Sequence, residues 1–408
     1  MRKRASTKKH NPFLYALVCA LLRPYLRLMY NFSPPRQIPA LPAGPILLLG
    51  SHSSNLDFLF ALPLLRKKRF NAVVTSYYFN NERLAKLLRF FHCIAKEQFR
   101  ADVSAIRDIR ACVKNGASVL IYPEGEVNGT GRCEKPDRSI VKLCRMLDVP
   151  VYAVRTHGSY FTRPKWGPVV RRGKVTAEAA EIADAQTLRA LSDAELYGRI
   201  CEALESNDYA WQETAMVPFP HRRCAEGLHN MLYLCPRCGR EFTMDTLEDE
   251  IFCGTCGNRG FMDKYGFLHP AGGDDVIPRT APEWIDLQRG RIRQELAEAG
   301  EDFALREKAY LQFHNRRNSV LLEDVGEGVV TLGRNALTYE GTCNGEHVTL
   351  VYPLSTFSKL PFTMGSQFDV PNPVRYTSIR PRNPRAVEKF VLAVPVIKER
   401  ANKGIPVR

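Results

Sequence analysis

Acidic side chains are scarce at the start of this chain. The first hundred residues hold only Asp57, Glu82 and Glu97 against 17 lysines and arginines, a net charge of +14. All 408 residues together carry +15, so the remaining 308 are nearly neutral at +1. A field that attracts anions therefore belongs to one part of the chain, with nucleic acid, anionic lipid or phosphorylated substrates as the classes it suits. Long apolar runs are missing as well. Phe13 to Leu22 is apolar over ten residues, about half of what a bilayer span requires. A secretory signal peptide would also start basic and then turn apolar, but Leu22-Arg23-Pro24 is not a small-residue cleavage site. The run is flanked by Arg2, Lys3, Arg4, Lys8 and Lys9 before it and by Arg23 and Arg27 after it. An interfacial helix bent at Pro24, its arginines snorkelling, fits that pattern. A helix that packs on its own domain is the other reading, and one helix can do both.

A disulfide framework is also absent. Of twelve cysteines, four fall into two close pairs, and the others (Cys19, Cys93, Cys112, Cys133, Cys144, Cys201, Cys224, Cys343) are scattered, mostly in apolar surroundings. That is the usage of a reducing compartment. The Asn128-Gly-Thr130 triplet is formally a glycosylation sequon, without meaning in a cytosolic chain.

What is present reads as alternation. Pro34, Pro35, Pro39, Pro42 and Pro45 make an extended linker into a strand over 45–50. Helices follow at 58–65, 81–91, 104–114 and 139–147, interleaved with strands at 71–76, 93–95, 116–122 and 150–156. A strand at 174–178 and a closing helix at 193–205 complete the segment. The fold class is α/β, a mostly parallel sheet covered by helices.

Within it, His52 and Asp57 stand five positions apart just after the apolar run Ile46-Leu-Leu-Leu49. Where a strand turns into a helix the two can meet, Asp57 holding one imidazole nitrogen and leaving the other free to take a proton from a hydroxyl. The bland alternative is that Asp57, or Asn55, caps the helix and His52 is a loop residue. A second segment bears on the choice: the strand ending at Tyr122 is stopped by Pro123-Glu124-Gly125. That puts a carboxylate at the carboxyl end of a strand, where α/β sheets bind ligands.

With these segments the chain resembles the glycerolipid acyltransferase family, typified by lysophosphatidic acid acyltransferases. His52 and Asp57 match its His-x4-Asp block and Tyr122 to Gly125 its Phe-Pro-Glu-Gly-type block. Phe99-Arg100-Ala-Asp102 matches its arginine block and Val149-Pro150-Val151 its Val-Pro-hydrophobic block. The likeness runs over roughly residues 12 to 210. It implies an O-acyltransferase in which His52 is general base and Asp57 orients it. Arg100 would grip an acceptor phosphate, Glu124 and Gly125 would position the acceptor or build the site, and backbone N–H groups near 122–126 are candidates for an oxyanion hole. It further implies acyl-CoA or acyl-carrier protein as donor, a lysophospholipid such as 1-acylglycerol-3-phosphate as acceptor, and a peripheral place on the anionic cytoplasmic face of the cell membrane. Two departures stand out. Glu126-Val127 replaces the usual Thr-Arg, removing one positive charge and adding a negative one, and His92-Cys93 stands where the family has a glycine. A non-phosphate lipid acceptor, or a non-catalytic membrane scaffold, remain as alternatives.

Near residue 225 the style changes. Cys235-Pro-Arg-Cys238-Gly and Cys253-Gly-Thr-Cys256-Gly have the spacing of a structural four-cysteine zinc ribbon, closed to catalysis. Residues 226–275 carry nine acids against four bases, so no nucleic acid is expected as a partner. Residues 283–312 read as a charged helix. Short strands at 319–322, 328–332, 336–339 and 346–352, then a helix over 385–394, look like a pleckstrin-homology-type small β-barrel domain. The expected order is a basic arm and interfacial helix (1–36), an acyltransferase domain (37–225), the zinc ribbon (226–275), a helical linker (276–315) and the β domain (316–408).

Overall fold

The structure, a computed structural model, describes residues 7–32, 34–35, 38–98, 101–314, 322–371 and 377–402. The chain divides near Pro220 into two compact units.

The first unit opens with helix α1 (Pro12–Tyr30). There follow β1 (Leu47–Gly50), α2 (Asp57–Leu64), β2 (Phe70–Thr75), α3 (Glu82–Phe90), β3 (Ile94–Lys96), α4 (Val103–Lys114) and β4 (Ser118–Ile121). Then come α5 (Ser139–Leu147), β5 (Val151–His157), α6 (Ser159–Thr162), β6 (Thr176–Ala183), α7 (Ala185–Ala190), α8 (Asp193–Leu204) and α9 (Asp208–Ala215). The strands lie in the order β3-β2-β4-β1-β5-β6. All neighbours pair in parallel except β5 and β6. Strands β1 and β4 are buried along their whole length, as interior parallel strands with covered faces must be. One face of the sheet packs Leu47, Leu49, Val119 and Val151 against Ile109, Ile140 and Ile200. The other packs Ile46, Leu48, Leu120 and Tyr152 against Leu26, Tyr30, Phe60 and Leu64.

The register decides where the site lies. Leu47 and Leu49 pair with Val119 and Ile121 on one side, and Gly50 pairs with Val154 on the other. The carboxyl ends of β4, β1 and β5 are thus adjacent, and the segments leaving them meet at one edge.

Helix α1 is longer than its ten-residue apolar run. Asn11 caps it by accepting from the Phe13 and Leu14 amides, it continues through Pro24, and Asn31 closes it with φ 45°. The helix has 19 residues and is long and apolar enough to cross a membrane by length and composition. The expectation of a segment too short to span is thereby corrected. One stripe (Tyr15, Cys19, Leu26, Tyr30) is buried, while Phe13, Leu17, Leu21 and Leu28 face outward.

In the second unit β7 (Met244–Leu247), β8 (Glu250–Cys253), β9 (Arg259–Met262) and β10 (Leu268–Pro270) form an antiparallel sheet. Helix α10 (Ala281–Glu298), with its Thr280–Glu283 capping box, supports the first cysteine loop. Fully buried Trp284 donates its indole N–H to Leu234 O at 2.8 Å, and Gln288 bonds both the Leu234 amide and Met231 O. The expected helix over 283–312 is half right, because residues 305–314 are a strand. That strand, β11 (Leu305–His314), is followed by β12 (Leu322–Leu332), β13 (Ala336–Cys343), β14 (Glu346–Pro353), β15 (Phe362–Thr363), β16 (Gln367–Val370) and β17 (Thr377–Pro381), and then by α11 (Ala386–Asn402). The seven strands form one antiparallel sheet in the order β14-β13-β12-β11-β17-β16-β15. The strand expected over 319–322 lies outside the described residues except for Leu322, where β12 begins.

Candidate functional site

His52 leaves the end of β1 and Asp57 begins α2. The N-cap of that helix is Leu56, with no side-chain capping bond, so the cap reading of Asp57 fails. Its carboxylate is turned inward instead, 1% exposed. One oxygen accepts from His52 Nδ1 at 3.1 Å and from the Ser54 amide at 2.8 Å. The other accepts from the hydroxyls of Thr156 at 2.9 Å and Ser159 at 2.7 Å. All four partners present donors to this carboxylate, and such an acceptor places the imidazole proton on Nδ1. Nε2 is left as the acceptor nitrogen, on a side chain 19% exposed.

His52 is held at four further points by the segment leaving β4. Its amide donates to Glu124 Oε1 at 2.8 Å. Its carbonyl accepts from the Asn128 amide at 2.8 Å and from Asn128 Nδ2 at 3.1 Å. The Tyr122 ring stacks on the imidazole, centroids 4.3 Å apart. That stacking needs a bare backbone at Gly50, where a Cβ would lie 2.3 Å from the ring. Glu124 also accepts from the Glu134 amide at 3.2 Å, so both its oxygens serve the architecture of the loop. Gly125 forms the turn at φ 81°, its amide directed back to Tyr122 O. Glu126, in the position where the sequence departs from the family, pairs with Lys165 at 2.9 Å, both side chains largely buried.

The structure therefore brings His52, Asp57, Glu124 and Gly125 together at one sheet edge. Arg100 lies outside the described residues. Thr156, Ser159 and Asn128 went unrecognised in the sequence. Asn128 was visible only as a formal sequon, and the two hydroxyl residues carry no pattern that marks them.

In the second unit the sulfurs of Cys235, Cys238, Cys253 and Cys256 all lie within 4.8 Å of one another and could hold a metal ion. Cys235 and Cys256 are 3.7 Å apart, and Cys238 and Cys253 are 3.9 Å apart. A tetrahedral zinc centre with four sulfur ligands at about 2.3 Å has sulfur edges of about 3.8 Å, so the donor set fits such an ion.

Residues 31–157 match the family model described as Acyltransferase. Among solved structures, the 1-acyl-sn-glycerophosphate (LPA) acyltransferase PlsC from Thermotoga maritima is similar at 17% identity and a TM-score of 0.39, over 49% of this chain and 79% of that one. No curated protein matches. The matched residues run from the end of α1 to the end of β5 and contain both His52 and Asp57. Through this segment the chain is similar to the acyltransferase family.

Proposed function

We propose that the chain transfers an acyl group from a thioester, acyl-CoA or acyl-carrier protein, to the hydroxyl of a lysolipid, with His52 as general base. The observation that carries the reading is the buried carboxylate of Asp57, which fixes Nδ1 and leaves Nε2 as the one nitrogen able to accept a proton. The acceptor oxygen attacks the thioester carbonyl while Nε2 takes its proton, and Asp57 stabilises the imidazolium. The tetrahedral oxyanion then collapses, the C–S bond breaks, and the leaving thiolate takes the proton back from Nε2. No covalent acyl-enzyme is required.

The outward stripe of α1 and the +14 charge of the first hundred residues support a peripheral site of action on an anionic membrane, at its cytoplasmic face. The four cysteines would hold a structural zinc, with no open position for chemistry. The strand run closed by α11 would serve as a pleckstrin-like binding or packing module.

A lysophospholipid such as 1-acylglycerol-3-phosphate is the first acceptor to test. The Glu126–Lys165 pair favours a second reading, because the acid on the loop that wraps His52 neutralises the Lys165 cation beside it. A lipid acceptor without a phosphomonoester suits that balance. The deciding assay offers purified protein both donors against a panel of lysolipids, with H52A as control. Equal product from wild type and H52A sinks the proposal. Activity that needs His52 but ignores a phosphate on the acceptor selects the second reading.

A further inference from the structure

Behind the dyad lies a second carboxylate, which the chemistry above does not use. Asp208, the first residue of α9, is fully buried. Its Oδ1 accepts from the Gly158 amide at 2.6 Å. Gly158 sits at the tight turn between β5 and α6, at φ 81°, where an added Cβ would lie 2.6 Å from Lys174 O. The next residue is Ser159, whose hydroxyl reaches Asp57, and Thr156 just before the turn does the same. The two hydroxyls are themselves 3.0 Å apart. A side-chain bond to one amide therefore fixes the turn that presents both donors.

The backbone of Asp208 makes a second connection. Its amide donates to Gly131 O at 2.7 Å, the Gly131 amide donates to Asn128 Oδ1 at 2.8 Å, and Asn128 in turn holds the His52 carbonyl. Two hydrogen-bonded chains thus start at one residue and end on opposite sides of His52, one at its ring and one at its backbone. Burial pushes the Asp208 carboxyl up to about 7, with the Asp57 charge adding to the rise and the Gly158 amide and Ser53 hydroxyl opposing it. A carboxyl kept inside against that desolvation is costly unless its acceptor role is needed.

We propose that Asp208 is a positioning residue of the acyl-transfer site, setting the geometry of the His52–Asp57 pair through Gly158 and Ser159. The proposal rests on the acyltransferase reading for its kinetic consequence, but not for its structural one. The expected result with full-length D208A is a kcat on the order of tenfold lower with KM within about twofold, the size of one lost buried hydrogen bond acting on geometry. D208N keeps an oxygen for the Gly158 amide and stays near wild type. In a double-mutant cycle with S159A, the second substitution adds little to the first. Losses that multiply would overturn the proposal, as would equal losses in D208N and D208A, which would point to charge alone.

A readout independent of turnover is the Nδ1–H resonance of His52 in histidine-labelled protein, identified by its absence from H52A. D208A is expected to broaden or shift it and D208N to leave it in place; an unchanged resonance in D208A overturns the inference. If wild type transfers no acyl group while this pattern holds, the functional reading fails and the positioning role stands. Should D208A not fold, D208E displaces the oxygen by one methylene at constant charge. It should reproduce the D208A resonance change, and a wild-type spectrum refutes the role.

Discussion

Replacing Asp57 by asparagine removes one charge and almost no volume. The amide has two ways to sit. With its NH2 toward the Ser54 amide and His52 Nδ1, two donors would oppose it, and the imidazole would have to move its proton to Nε2. With its NH2 toward Thr156 and Ser159, both hydroxyls can rotate to accept, and their 3.0 Å contact lets one pass a hydrogen bond to the other. The second arrangement costs less, so D57N keeps the tautomer and loses the charge. A full charge pair about 4 Å apart at an effective dielectric of about 20 is worth about 4 kcal/mol. That stabilisation is absent when the imidazolium forms, so kcat should fall by about three orders of magnitude with KM nearly unchanged. D57A should fall at least as far and also unfold at lower denaturant, because the Ser54 amide and two buried hydroxyls lose their acceptor. The assay is steady-state acyl transfer across acceptor concentrations, alongside urea unfolding. A D57N enzyme within threefold of wild type in kcat would refute the claim that this carboxylate stabilises a charged His52.

Y122F should leave activity intact and stability equal or higher by up to about 1 kcal/mol, since the hydroxyl is buried without a hydrogen-bond partner among the described residues; Y122A, which removes the stacked ring, should lower kcat, and a neutral Y122A would dismiss the stacking. Metal analysis should find about one equivalent of zinc, lost in C235S and C256S, with chelation lowering the unfolding temperature; a metal-free, fully folded protein would contradict the site. Asp208 is raised from 3.8 to about 7, so the folded state binds the extra proton between those values. The contribution of this group to stability is then fully present below about 4 and falls as pH rises toward about 7. Urea unfolding against pH should show that slope flattened in D208N, and equal slopes would contradict the protonated carboxyl. Changing Leu21 and Leu28, both outward on α1, to aspartate should weaken binding to anionic vesicles at least about tenfold without moving the unfolding midpoint; unaltered binding would remove α1 from the membrane contact.

The parts of this protein that were legible in sequence are those with short-range signatures. His52 and Asp57 are five residues apart, the Tyr122–Gly125 stop follows an apolar strand directly, and the four cysteines announce themselves by spacing. The rest of the site was illegible because sheet topology assembles it. Thr156 and Ser159 reach Asp57 from 99 and 102 positions away, and only the placement of β1 beside β5 makes them neighbours. Residues 305–314 misled for another reason. Leu-Arg-Glu-Lys-Ala favours helix locally, yet pairing with β12 and β17 on both sides makes it a central strand, tertiary context overriding propensity. Helix α1 outran its apolar run because Pro24 is accommodated within it and a capped start lengthens it.

Asn128 closes the account of the site with a constraint on how the protein is made. Its side-chain nitrogen, the atom a glycan would occupy, is spent on the His52 carbonyl, and its oxygen on the Gly131 amide. With the residue 7% exposed, sugar attachment and a formed site exclude each other. A chain threaded unfolded past an oligosaccharide-transferring enzyme would offer the sequon before the fold could hide it, and the mark would be permanent. The integrity of the His52 environment thus depends on folding away from such machinery, and a single asparagine ties the geometry around His52 to the route of biosynthesis.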